Sequence, residues 1–113
     1  MNKNEISEIK NLSKKIRKDI LNMALSAGAS SSHFGGSLST VEILSTLYKK
    51  FLKFDVSNPV WQERDRFILS KGHACLAYYA ALFEIGKISL DDIKSFEKDN
   101  SKLPGHPVKN KEI

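Results

Sequence analysis

The sequence predicts an α/β chain that is mostly helical, with one short buried strand at about residues 66–69. Three observations carry this. Apolar residues recur at steps of three and four over several long stretches, the spacing of one helix face. A single short run, "RFIL" (66–69), is bounded by polar residues and reads as a buried strand. One strand makes no sheet, so its partner strands lie in another chain or in a continuation of this one, and the 113 residues read as a partial domain.

Each element follows in order. Ile6, Ile9, Leu12, Ile16, Ile20, Met23 and Ala24 predict an amphipathic helix over roughly 5–27. "SAGASSSHFGGS" (26–37) is rich in Gly and Ser and does not continue a helix easily. Ser39 precedes Val41, Ile43, Leu44, Leu47 and Tyr48, a second helical stripe running to about Leu52. Ser39 and Glu42 have the spacing of a capping box, in which each side chain satisfies the other's backbone N–H. Residues 53–65 form a loop with a turn at Asn58-Pro59. After the strand, "SKGH" is a strand-to-helix turn, and a third helix covers about 74–85 and ends at Gly86. Ser89 with Asp92 opens a fourth helix, about 90–98. The tail "NSKLPGHPVKNKEI" carries two prolines and no periodicity and reads as an extended loop.

Composition narrows the function classes. Hydrophobic residues make up 41% and charged residues 27%, as in a soluble globular protein. No apolar run approaches the ~20 residues of a membrane span, and the polar, amphipathic N-terminus is not a secretory signal, so the expected location is cytoplasmic, with no membrane partner. The net charge of +5 raises the question of nucleic acid. Lys10, Lys14 and Lys18 share a helix face, but Glu5, Glu8 and Asp19 are interspersed, which describes a solvated face, and no nucleic-acid partner is expected. The one cysteine, Cys75, has no internal disulfide partner and sits in an apolar helical run as a packed thiol.

The three histidines are the candidate functional residues. Each stands in a loop among small residues: Ser32-His33-Phe34-Gly35-Gly36, Lys71-Gly72-His73-Ala74 and Gly105-His106-Pro107. Glycine permits close approach of another group, and loops on rigid elements commonly carry binding residues. His73 follows the strand and opens a helix, where free N–H groups and the positive helix end favour an anion. Zinc is a poor account, because the donors lack paired short spacings. There is no Walker or dinucleotide-type glycine loop.

The segments "SSHFGGSLSTVEILSTLY" (31–48), "RDRFILSKGHACLAYYAAL" (64–82) and "LPGHP" (103–107), in that order and spacing, resemble the N-terminal part of transketolase, including half-length transketolase-like subunits. The resemblance covers nearly all of residues 10–107. It implies that residues 1–113 are the opening, mostly helical portion of a thiamine diphosphate-binding α/β fold, a partial diphosphate-binding domain with "RFIL" as a parallel-sheet strand. It implies thiamine diphosphate with Mg²⁺ or Ca²⁺ and the transfer of a two-carbon ketol unit from a ketose phosphate to an aldose phosphate. The cofactor carries the carbanion chemistry, and the protein supplies positioning and proton transfer. His33 would lie near the substrate's reacting oxygens. Gly72 and His73 would contact the cofactor diphosphate, and His106 the donor's C1 hydroxyl or oxyanion. Histidine suits such roles because it gives or takes a proton near pH 7.

Two departures stand out. Many family members have Gly-His-Pro where this chain has Ser32-His33-Phe34, which leans toward the half-length branch. No Gly-Asp-Gly occurs, the motif that with a later Asn supplies the family's metal ligands, so those ligands are not expected within this chain. The reading is therefore a fragment or split subunit, inactive alone, that joins the remaining transketolase sections or a C-terminal subunit in an oligomer and acts on sugar phosphates. The alternative is a non-catalytic interaction or regulatory protein derived from the same fold.

Overall fold

The computed structural model describes residues 1–27 and 34–94, and its elements are all helical. α1 is Lys3–Ala27. Asn2 caps it: the Glu5 N–H donates to Asn2 Oδ1 at 2.8 Å, and Asn2 Nδ2 reaches back to Glu5 Oε1 at 3.4 Å. α2 is the five-residue Phe34–Leu38. α3 is Val41–Thr46 and runs directly into a π-turn, Leu47–Phe51, closed by Leu52 N–H to the Leu47 carbonyl at 2.7 Å. A 3₁₀ turn, Gly72–Ala74, leads into α4, Cys75–Glu84, and α5 is Leu90–Lys94.

The core lies where α1, α3 and α4 meet. Ile16, Ile20 and Met23 of α1 close on Val41 and Leu44 of α3 and on Leu76, Tyr79 and Ala80 of α4. α4 is apolar on nearly every side, as a helix enclosed by neighbours must be. One polar bridge crosses this core: Ser13 Oγ donates to Ser45 Oγ at 2.8 Å, and Ser45 Oγ donates to the Val41 carbonyl at 2.8 Å. The π-turn is pinned to α1 by Lys49 with Glu8 and Lys50 with Glu5, at 3.9 and 3.0 Å.

Helix ends are set by local chemistry. α4 stops where Gly86 takes φ +86°, a left-handed conformation that suits glycine. The Gly86 N–H then reaches the Phe83 carbonyl at 3.0 Å and the Lys87 N–H the Leu82 carbonyl at 2.8 Å, a Schellman ending. At α5 the predicted helix start takes the form of a capping box: Ser89 N–H to Asp92 Oδ2 and Asp92 N–H to Ser89 Oγ, both 3.1 Å. The 53–65 loop is pinched shut by Lys53 N–H to Asp65 Oδ2 and Asp65 N–H to the Lys53 carbonyl, each 2.7 Å. The turn at 58–61 forms as expected, with Trp61 N–H on the Asn58 carbonyl at 3.2 Å.

Three expectations are corrected. Residues 66–69 are extended but form no strand, because a strand needs a ladder and no described segment lies alongside; the described part is helical, and the α/β character is not seen in it. The Ser39–Glu42 capping box does not form. α2 ends at Leu38, residues 39–40 form a turn and Thr40 stands at the N-cap of α3, so the Ser39 hydroxyl donates back to the Gly36 carbonyl at 3.1 Å and Thr40 Oγ1 to the Ser37 carbonyl at 2.8 Å, while Glu42 pairs with Arg17. Finally, α2 occupies part of a stretch expected to resist helix, because it is held against α4 and the 72–74 turn.

Candidate functional site

The segment 66–70 is extended, with alternate residues turned in and out. Phe67 and Leu69 are half-buried, whereas Ile68 is 85% exposed. Phe67 stacks on Tyr78 at 5.6 Å between ring centres and meets Tyr48 at 5.9 Å. Burial raises the phenol pKa values of Tyr48 and Tyr78, and the neighbouring Tyr78 adds to the rise at Tyr48. Beside these rings is a cleft of about 260 Å³ edged by Arg64 and Arg66, and Gly72 does not line it.

At Lys71 the chain leaves the extended conformation and tightens. The Ala74 N–H bonds the Lys71 carbonyl at 2.9 Å and the Cys75 N–H bonds the Gly72 carbonyl. No side chain caps the start of this turn or of α4. A ten-residue helix thus presents an uncapped amino end, with its positive pole, at the Gly72–His73 position. Lys71 Nζ donates to Ser39 Oγ at 3.3 Å, linking this turn to the chain just after α2. α2 itself packs on the turn and on α4, so Gly35 and Gly36, which follow His33 in sequence, belong to the same corner of the molecule. A Cβ added at Gly35 would meet nothing within 4 Å, so that side of α2 is open. Ser37, in the middle of α2, is fully buried, and its hydroxyl has no hydrogen-bond partner among the described residues.

Of the predicted site residues, Gly72 and the backbone of His73 lie in this turn. His33 and His106 lie outside the described residues, and so does the family-like "LPGHP" segment. Sequence reasoning did not single out Ser37, Ser39 or Lys71 as site residues. Lys71 stands beside the Gly-His pair and could have been read from it; Ser37 and Ser39 have no such signal within a Gly/Ser-rich run. Cys75 is a buried thiol, as expected. Lys10, Lys14 and Lys18 are exposed, as a solvated face requires. Among the described residues no three His, Cys, Asp or Glu side chains converge as metal donors, and no helix is long and apolar enough to cross a membrane.

A turn of this kind, with an uncapped helix start, an adjacent lysine and a buried unsatisfied hydroxyl, is chemistry suited to a phosphate-bearing ligand. Residues 9–113 match the family described as transketolase, thiamine diphosphate binding domain, and the chain belongs to that family. It is 41% identical over 104 residues to an apulose-4-phosphate transketolase subunit of Actinobacillus succinogenes, spanning 92% of this chain and 37% of that protein. It is 45% identical over 80 residues to the transketolase of Aquifex aeolicus, spanning 70% of this chain and 12% of that protein. The fold superposes on the solved transketolase of Leishmania mexicana with a TM-score of 0.74 at 28% identity, over 88% of this chain and 15% of that one. The chain thus spans about a third of the half-length relative and about an eighth of the full-length one.

Proposed function

We propose that residues 1–113 are a partial diphosphate-binding domain of a transketolase-type enzyme, working as an N-terminal section or split subunit. The enzyme transfers a two-carbon ketol unit between sugar phosphates with thiamine diphosphate, and the chain is inactive until the rest of the domain joins it. The observation that carries this reading is the pairing of an unsatisfied, extended 66–70 segment with the uncapped turn that follows it. An added parallel strand on 66–69 would complete a sheet edge, and ligands of open α/β sheets bind at the carboxyl ends of strands, where Gly72 and His73 stand. The likeness to a protein named as one subunit of a transketolase supports a partner polypeptide here.

In this reading the 72–74 turn and Lys71 hold the cofactor's diphosphate by backbone N–H groups and positive charge. His73 adds a donor, and Ser39 Oγ accepts from Lys71 Nζ and so positions it. His33 and His106 move protons at the substrate's oxygens. Thiamine diphosphate supplies the carbanion chemistry when bound. In this reading Mg²⁺ or Ca²⁺ is held by the family's Gly-Asp-Gly carboxylate and later Asn, a motif this chain's sequence does not contain.

The test is ketol transfer and thiamine diphosphate binding, measured on the chain alone and after co-expression with the sections that follow this region in the half-length relative and with a C-terminal subunit. The expected result is no turnover alone and activity on reconstitution. In the reconstituted enzyme His73→Ala weakens cofactor binding about 10-fold or more, the loss of one charge-assisted hydrogen bond. Turnover by the chain alone, or cofactor affinity indifferent to His73, would overturn the reading.

A further inference from the structure

α1 and α3 carry two adjoining apolar grooves. One runs between the helices, about 460 Å³, with Met1, Ile6 and Ile9 on one wall and Glu42 and Thr46 on the other. The second, about 410 Å³, lies over Ile43, Leu47 and Phe51 and shares Glu42 and Thr46 with the first. Ile43 is 60% and Phe51 57% exposed, although residues of this kind ordinarily fill cores. Ile43, Leu47 and Phe51 recur every four residues, a ridge that meshes with the groove of another helix.

The rim has a sign. Lys10, Lys14 and Arg17 border the first groove. Arg17 is paired with Glu42, whereas Lys10 and Lys14 are exposed and form no ion pair with any described residue. From this we propose that the α1–α3 face docks an acidic amphipathic helix of a partner protein. Its apolar side chains would enter the two grooves, and its Asp or Glu residues would lie beside Lys10 and Lys14. A second copy fits less well, because a chain of net charge +5 would bring lysine to lysine. A lipid surface fits less well too, because a bilayer receives a flat or convex apolar face and this one is grooved. The inference does not rest on the thiamine diphosphate reading.

The probe is a synthetic helical peptide of about 20 residues, ~30 Å long, with leucines at alternating three- and four-residue spacing and glutamates along the flanks. Its control carries lysines in place of the glutamates. Fluorescence anisotropy with the full chain should give at least tenfold tighter binding of the glutamate peptide. Phe51→Glu and Ile43→Ser should each weaken it several-fold, with unchanged circular dichroism melts. Because both side chains are exposed, the two variants report on the groove and not on the core. Lys10→Glu with Lys14→Glu should reverse the preference between peptides. Equal binding of the two peptides, or indifference to both groove variants, would overturn the proposal. So would tighter binding to phosphatidylserine vesicles than to the peptide, or self-association of the chain abolished by Phe51→Glu.

Discussion

The two ends of α4 face different worlds. Its body packs against α1 and α3 in a core where buried side chains meet and the crossing hydroxyls, Ser13 and Ser45, satisfy each other. Its start, with α2 and the 66–70 segment, has no side-chain cap, a buried Ser37 hydroxyl with no hydrogen-bond partner among the described residues, and an extended stretch with Ile68 in solvent. Buried polar groups are ordinarily satisfied; of the exceptions among the described residues, the Ser37 hydroxyl lies at this end, whereas Asp19 Oδ2 and Glu5 Oε2 lie on α1. The core end holds the chain together, and the other end is where the proposed reading puts ligand and partner.

That contrast can be broken by substitution. The largest effect belongs to the core: Ile20→Ala, at a fully buried position, should lower unfolding free energy by about 3 kcal/mol in urea titration. Next comes a comparison of two buried serines. Ser45→Ala strands the Ser13 hydroxyl and should cost about 1–2 kcal/mol, whereas Ser37→Ala removes a hydroxyl that has no partner among the described residues and should be neutral or stabilise by up to about 1 kcal/mol. If both serines cost the same, the contrast between the two ends fails.

A pH effect of similar size belongs to α1 against the far end of α4. Burial, then a hydrogen bond to and repulsion from Glu84, push the Asp19 carboxyl up to about 8, against the pull of Lys18 and Lys15. The folded state therefore keeps a proton that the unfolded chain gives up above about pH 4. Stability from this group is whole below the unfolded pKa and is lost as pH rises through 8. Asp19→Asn should flatten that decline. At pH 8 it should gain about 1 kcal/mol, well under the unscreened value, because the side chain is partly solvent-exposed. Thermal melts from pH 4 to 9 check it. The smallest effect is Ile68→Ser, within about 0.5 kcal/mol for the chain alone, since its side chain touches mostly water.

Much of this division was legible in the sequence. The apolar period of α1 and the unbroken apolar run of α4 marked the core, and Gly86 and the Ser89–Asp92 pair marked the helix ends, because each acts through neighbours a few residues away. The Gly-His turn was legible because glycine after an apolar run and before a helix has one common structural meaning. What escaped depends on distant contacts. α2 forms through a glycine pair only because α4 supports it, the Ser39 box yields to a turn at residues 39–40, and the Asp19–Glu84 pairing joins residues far apart in the chain. The strand at 66–69 was read from residues whose extended shape is present here and whose ladder needs neighbours outside the described segment.

The most direct test of the account is amide hydrogen exchange at residues 66–76, read on the chain alone and again with the polypeptide that completes the domain in the half-length relative. The account predicts fast exchange at 67–70 in the chain alone, strong protection there on complementation, and further protection at 72–76 when thiamine diphosphate is added. Protection of 67–70 in the chain alone, or a bound complement that leaves those amides exchanging freely, would contradict it.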